Sequence, residues 1–257
     1  MKKIIAAALL SFSLNSFADN APLWLRFCSI SPDGQTIAFS YKGDLFSVPV
    51  NGRIAKQLTT NPAYDAYPIW SPDGQKIAFA STREGSMDIY LMNKNGGVPK
   101  RLTTNSGSEI PMAFTDNNHV LFSSAIMPTA KSIFFASGTF PQTYEVNIDA
   151  SRPRLYSPIT MCDANVKSNG DILYHDVKGY EDNFRKHHRS PVTRDIWLYS
   201  KGNYTKLTNF DGEDRTPVWG NNTNEYYYLS EEDGTFNVYK RNIDGSGKKQ
   251  LTFHKAN

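Results

Sequence analysis

The chain has 257 residues, of which 39% are hydrophobic and 21% charged, and its formal charge is +3 at neutral pH. A net charge this small gives little attraction to the phosphate backbone of a nucleic acid. We therefore expect no nucleic-acid partner.

The first eighteen residues have the pattern of a cleavable secretory signal. Lys2 and Lys3 form a basic start, an apolar run covers residues 4–14, and small residues lead up to Ala18. We expect cleavage near Ala18 and export to the periplasm or the medium, with a mature charge of +1 once the two lysines are lost. The apolar run is too short for a membrane helix of about 20 residues, and no other stretch is long enough, so we expect no membrane insertion.

A repeated turn organises the rest of the chain. The string "ISPDGQTIAF" at residues 30–39 returns as "WSPDGQKIAF" at 70–79, and weaker copies follow at 113–122, 165–174 and 218–229. Each copy is an apolar strand, a turn rich in Pro, Asp, Asn and Gly, and a second strand of β-branched or aromatic residues. Proline presets φ and Asp-Gly supplies the positive φ of a tight turn, so each copy predicts a hairpin.

Two more strands follow in every unit. An alternating polar and apolar segment begins near residues 43, 87, 143, 194 and 236, and a short closing strand leads to Leu58, Leu102, Leu155, Leu207 and Leu251. Four short strands per unit, at spacings of 44 to 53 residues between these leucines, are typical of propeller blades. The prediction is an all-β protein, a β-propeller of four-stranded antiparallel blades over residues 19–257. Five blades are visible, at about 23–60, 65–104, 109–157, 163–209 and 214–253.

The visible blades suggest a larger ring. Blade one begins with its inner strand and blade five ends with its outer one, so no strand exchange closes the ring, and we expect an incomplete six-bladed propeller. Trp70, Phe114 and Trp219 each stand twelve residues after the closing leucine of the preceding blade, a position that favours packing between blades over stacking on a ligand. Cys28 and Cys162 precede the inner strands of blades one and four, which face each other across a six-bladed ring, so both are expected to be free thiols.

One face of the disc is predicted to carry function. The connections from second to third strand and from one blade to the next share this face, and two of them are long, at about residues 125–142 and 177–193. Long loops held together on a rigid scaffold are where binding function usually lies.

An acid stands seven residues after the leucine on this face in three blades, at Asp65, Glu109 and Asp214, while Cys162 occupies that register in blade four. A partial acidic ring at the channel mouth would select cationic peptide ends or basic side chains. The alternative is that each acid caps its own turn or pairs with a neighbour such as Arg215.

The densest ionisable cluster is the loop "DNFRKHHRSPVTRD" at residues 182–195. Arg185, His187, His188 and Arg189 are its candidate peptide-binding residues, as a carboxylate-binding or solvated loop. Adjacent histidines are not a chelating spacing and the basic neighbours repel a cation, so we expect no metal site and no cofactor.

No catalytic residue is predicted. No serine stands in a "GxSxG" setting with an assignable His and Asp, and Rossmann and P-loop glycine patterns are absent from the sequence. An enzyme acting on small molecules from a propeller scaffold would need convergent His, Glu or metal ligands on the axis, which the sequence does not present.

The strings "WSPDG-x-x-IAF", "DIY" and "RLTTN" resemble the propeller repeat of TolB-type proteins, dipeptidyl peptidase propellers and tricorn-type proteases. The opening "PLWLRFCSISPDGQTIAFSYKGDLFSVPVNG" and the loop "RKHHRSPVTRDIWLY" resemble the first propeller of secreted tricorn-like serine peptidases. In that family an amino-terminal six-bladed propeller precedes a second propeller, a PDZ-like module and a serine peptidase core that cuts oligopeptides.

The resemblance implies a module that admits or sorts peptides, with oligopeptides or unfolded polypeptide and the remaining domains of the parent peptidase as partners. The parts that carry catalysis in the family lie beyond this chain, so no catalytic residue is carried over. The alternative is a free-standing TolB-type periplasmic propeller that mediates interactions between proteins.

Overall fold

The computed structural model describes residues 24–126, 141–179, 190–221 and 224–255. These residues form twenty β-strands and no helix, and the strands make five four-stranded sheets. Blades one to three comprise β1 (Arg26–Ile30), β2 (Thr36–Tyr41), β3 (Asp44–Pro49), β4 (Lys56–Gln57); β5 (Asp65–Trp70), β6 (Lys76–Glu84), β7 (Ser86–Asn93), β8 (Lys100–Arg101); β9 (Ile110–Phe114), β10 (His119–Ser124), β11 (Gln142–Asn147) and β12 (Arg154–Ser157). Blades four and five comprise β13 (Cys162–Val166), β14 (Ile172–His175), β15 (Ile196–Ser200), β16 (Asn203–Lys206); β17 (Asp214–Trp219), β18 (Glu225–Ser230), β19 (Asn237–Asn242) and β20 (Lys249–Gln250).

Every sheet follows chain order, with each strand antiparallel to the next. The first strands of consecutive blades contact one another in sequence, β1 with β5, β5 with β9, β9 with β13 and β13 with β17. Inner strands that meet side by side while the sheets radiate outward define a propeller. The predicted fold class, an all-β propeller with five four-stranded antiparallel blades, is confirmed. Within the described residues no helix has the length and apolarity to span a membrane.

The repeated "SPDG" string is a turn that its own side chains close. In the first copy the Gly34 N–H donates to the Ser31 carbonyl at 2.8 Å, and the Ser31 hydroxyl donates to Asp33 Oδ1 at 2.5 Å. Gly34 has a φ of +70°, a conformation that costs glycine little. The second copy makes the same bonds from Ser71, so the string recurs because it specifies the same hairpin.

The core is divided among the blade junctions. Four clusters of buried hydrophobic residues lie between consecutive blades, as where Leu45 of blade one packs with Phe79 of blade two. Phe114 is buried in one cluster, and Trp70 and Trp219 pack on the edges of two others. Each of these tryptophans also reaches the preceding blade through its indole N–H. Their predicted role in packing between blades is confirmed.

The two faces of the disc differ as predicted. We call "loop face" the side that carries the connections from second to third strand and from one blade to the next. In the first two blades, the connection from second to third strand at 41–44 and the connection between blades at 61–64 line one cavity. The two "SPDG" turns line a different cavity, together with Pro49 and Asn95. Cys28 and Cys162 are free, as expected.

Candidate functional site

The three acids predicted on the loop face occupy equivalent positions at the blade junctions. Asp65 and Asp214 begin β5 and β17, and Glu109 directly precedes β9. Each backbone N–H donates to a carbonyl of the preceding blade, from Asp65 to Gly43, from Glu109 to Met87 and from Asp214 to Arg194, at 2.8, 2.8 and 3.1 Å. The three residues are 0%, 0% and 1% exposed. The shared register is therefore real, and it places these carboxyl groups between blades.

Their surroundings differ. Asp65 Oδ2 lies 2.7 Å from Arg83 Nη2 in an ion pair. Burial raises the pKa of Asp214 to about 6, and the hydroxyls of Ser230 and Thr208 offset part of that effect. Burial also raises the pKa of Glu109, to about 7. A role for the three in binding peptides stays a prediction.

Two further residues lie at or beside this register, Arg215 directly after Asp214 and Cys162 at the equivalent position of blade four. Arg215 Nε donates to Glu213 Oε2 at 2.7 Å. Arg215, named as a possible partner of Asp214, thus forms an ion pair with Glu213. Cys162 begins β13 in the fourth blade, and burial raises the pKa of its thiol to about 11. A thiol held protonated in this way is a poor nucleophile.

The remaining candidates, Arg185, His187, His188 and Arg189, lie outside the described residues. Their assignment to peptide binding stays a prediction. Within the parts of the chain that the structure describes, no group of three or more His, Cys, Asp or Glu residues is arranged to hold a metal ion.

A second site was missed at the sequence level. The inner strand of every blade contains a β-bulge, seen as a shift in its pairing with the second strand. In four blades a bulged residue has a positive φ between 49° and 55°, at Phe27, Tyr67, Asp163 and Thr216. A bulge re-aims a side chain, so repetition at one level of the five strands turns a set of side chains toward a common region.

These bulged residues contact one another across blades. The rings of Phe27 and Tyr67 have centroids 3.8 Å apart, and Thr216 Oγ1 donates to Asp163 Oδ2 at 2.8 Å. His175 Nδ1 lies 3.6 Å from the same carboxylate oxygen. Burial raises the pKa of Tyr67, with smaller contributions from Tyr64 and the Asp163 carboxylate. The aromatic pair and the polar group around Asp163 are therefore close enough to interact. We call these four bulged residues with His175 the axial site.

Proline residues within the inner strands indicate part of this site in the sequence. Pro68 and Pro217 follow bulged residues directly, and Pro111 precedes the bulge of blade three. Proline within a strand marks an edge or a bulge because it cannot donate to the ladder.

Two cavities on the loop face add further binding surface. One, of about 610 Å³ between blades one and two, is lined by Trp24, Tyr41 and Tyr64 together with the cations Arg26 and Lys42. The other, of about 410 Å³, lies between the linker after blade two and blade three, with an apolar wall and a buried carboxyl group. Concave apolar surface with a few polar groups is typical of ligand sites.

Known proteins share this architecture. A family model described as the tricorn protease N-terminal beta propeller domain matches residues 22–257. Tricorn protease homolog 1 from Streptomyces coelicolor is 25% identical over 236 residues, covering 90% of this chain and 21% of the homolog. The chain thus spans about a fifth of the length of the tricorn protease homologs it matches.

Solved structures support the same fold. The tricorn protease crystal structure superposes with a TM-score of 0.71 at 20% identity, covering 90% of this chain and 22% of that one. A TolB-type protein from Agrobacterium tumefaciens gives a TM-score of 0.69 at 16% identity, covering 89% of this chain and 80% of that one. The chain belongs to the family of tricorn protease N-terminal β-propeller domains.

Proposed function

We propose that this propeller is a non-catalytic, exported module that binds oligopeptides or unfolded polypeptide and admits them to a peptidase core carried by other domains. Membership of the tricorn propeller family supports the association with a peptidase. The function assigned to this chain is binding, and the chemistry belongs to the partner domains.

The axial site is the observation that carries this proposal. One half offers the rings of Phe27 and Tyr67, which contact each other at a tilt of 35°, and the other offers the hydrogen-bonding groups of Asp163 and Thr216. An extended peptide presents apolar side chains and unpaired backbone amides, which such a pair of surfaces accommodates without demanding one sequence. Broad acceptance of peptides is what an admitting module requires.

Fluorescence anisotropy of a labelled oligopeptide panel tests the proposal. We expect micromolar to millimolar binding of several unrelated peptides and a loss of about tenfold in affinity in Tyr67→Ala. The control is Val98→Ala, a change at a side chain 98% exposed between β7 and β8, which is expected to bind as the unmodified chain does. Equal affinities for the two variants would contradict the axial site, and no binding of any peptide would contradict the function.

A free-standing TolB-type propeller that mediates interactions between proteins is the second candidate. The specific observation in its favour is the propeller fold shared with the Agrobacterium TolB-type structure, which superposes with a TM-score of 0.69. Under this alternative the surface recognises a folded partner, so the peptide panel would give no binding.

A further inference from the structure

Glu109 differs from Asp65 in having no charged partner. Among the described residues no cation lies within ion-pair distance of its carboxylate, and its nearby donors, the Thr103 hydroxyl and the Asn105 N–H, are neutral. Asp65 has Arg83, whereas Glu109 is equally buried at 0% exposure. A carboxylate withdrawn from water without a counter-ion is unfavourable for the fold, so its retention calls for a ligand or a functional reason.

The nearest cation is already engaged. Arg101 Nη2 lies 2.8 Å from Asp88 Oδ2, and Arg101 Nε donates to the Thr103 carbonyl at 2.8 Å. The Thr103 hydroxyl accepts the Ile89 N–H at 2.9 Å. Arg101 is thus held by its own partners, and the Asp88 charge adds to the negative potential that a cation would meet beside Glu109.

Glu109 also lines the cavity of about 410 Å³ on the loop face. Ile126, Tyr144 and Leu155 give this cavity an apolar wall, and Arg152 stands at its exposed rim. Arg152 makes no ion pair with any described residue. The cavity therefore combines a buried acceptor, an apolar surface and a donor at the entrance.

We propose that this cavity binds the amino-terminal residue of a peptide, with the α-ammonium group on the Glu109 carboxylate and the side chain on the wall formed by Ile126, Tyr144 and Leu155. Arg152 donates to the first peptide carbonyl at the rim. The inference rests on the proposed binding of peptides and narrows it to peptides with a free amino terminus. A primary ammonium group supplies the positive charge and the N–H donors that the Glu109 carboxylate lacks, and the charged pair is strengthened by its removal from water.

A lysine side chain carries the same ammonium group, so the experiment separates the two sources. Calorimetric titrations would use leucinamide, N-acetyl-leucinamide and N-acetyl-lysinamide as probes, with the unmodified chain, Glu109→Gln and the control Glu225→Gln. Glu225 is a buried glutamate of β18 in blade five that does not line the cavity.

We expect leucinamide alone to bind, with affinity at least tenfold weaker in Glu109→Gln and unchanged in Glu225→Gln. Equal binding of N-acetyl-leucinamide, or of leucinamide to Glu109→Gln, would overturn the inference, and selective binding of N-acetyl-lysinamide would assign the site to lysine side chains. Titration of the unmodified chain at pH 6.5 in buffers of different ionisation enthalpy gives a readout that needs no variant. Ionisation of Glu109 on binding releases up to one proton, and no proton release would contradict the assignment.

The peptide panel distinguishes the two proposals. If oligopeptides bind but acetylation of their amino termini has no effect, the peptide-binding function stands and the Glu109 site fails. If leucinamide binds through Glu109 while no oligopeptide binds, the cavity is a site for small ammonium compounds, and the peptide-binding function and its narrowing to peptide amino termini both fail.

Discussion

Arg83 and Asp65 form an ion pair inside blade two, with Arg83 Nη2 2.7 Å from Asp65 Oδ2 and side chains 13% and 0% exposed. The guanidinium carbon also lies 5.5 Å from the ring centre of Phe79 and 5.3 Å from that of Tyr90. The pair joins the start of β5 to the end of β6 and to the aromatic core between blades one and two. An acid predicted as a candidate for ligand binding thus contributes to the packing of its own blade.

Replacing one partner tests the strength of this pair. We expect Asp65→Asn to lower the free energy of unfolding by about 3 kcal/mol, because it leaves a buried guanidinium without its counter-ion. Urea denaturation followed by tryptophan fluorescence measures the change. The control is Glu232→Gln, which removes the partner of Lys248 in a pair with side chains 37% and 39% exposed and is expected to cost less than about 1 kcal/mol. Equal losses in the two variants would contradict the assignment.

Consecutive blades are also linked by indole hydrogen bonds. Trp70 Nε1 donates to the Ser29 carbonyl at 3.1 Å, and Trp219 Nε1 donates to the Asn165 carbonyl at 3.0 Å. Phenylalanine keeps one aromatic ring at the site but removes the donor and part of the packed surface, so Trp70→Phe and Trp219→Phe should each lose at least about 1 kcal/mol of stability. Trp24→Phe, at a residue 73% exposed, provides the control and should change stability by less than about 0.5 kcal/mol. A loss confined to Trp24→Phe would show that the indole bonds do not couple the blades.

The buried acids predict an unusual dependence of stability on pH. Burial raises the pKa of Glu109 from 4.5 to about 7 and that of Asp214 from 3.8 to about 6. These two groups therefore bind more protons in the folded chain than in the unfolded chain between about pH 4 and 7, so their contribution to stability is highest below pH 4 and falls as pH rises. The share due to Glu109 is about 3 kcal/mol, lost as the pH rises to about 7. Asp88, Arg101 and Arg152 are the charged residues near Glu109.

Urea denaturation at pH 5.0 and 7.5 measures this effect, compared between the unmodified chain and Glu109→Gln. Glutamine does not titrate, so the variant should lose less stability between the two pH values, and Asp214→Asn should remove a separate part of the decrease below about pH 6. The same decrease in all three proteins would show that other groups control the pH dependence.

The fold could be predicted because its signals are local. The "SPDG" turn is closed by Ser31, Asp33 and Gly34 within one stretch of four residues, so the string itself specifies the hairpin. The spacing of the closing leucines then predicted the number of blades in this chain. The register shared by Asp65 and Glu109 was also visible, since equivalent positions in a repeat occupy equivalent places.

The environments of those acids could not be predicted in the same way. Asp65 forms an ion pair with a residue eighteen positions later, whereas Glu109 has no ion pair because Arg101 is held by Asp88. Such differences arise from side chains that vary between repeats. The axial site was signalled only where proline interrupts an inner strand, and Phe27 and Asp163 have no proline beside them.

The two cysteines differ in ways that alkylation measures. Cys28 is exposed, whereas Cys162 is partly covered at the start of β13, where burial raises the pKa of its thiol to about 11. The thiolate is the reactive form, and at pH 8 only about one in a thousand molecules carries it at Cys162.

Iodoacetamide should therefore modify Cys28 first in the folded chain, as followed by mass spectrometry of peptides. Cys162 should react at least about 100-fold more slowly in the folded chain than in the urea-unfolded chain, where its thiol has an ordinary pKa. Rapid modification of Cys162 in the folded chain would mean that the junction between blades three and four opens to solvent, and slow modification of Cys28 would contradict its exposure.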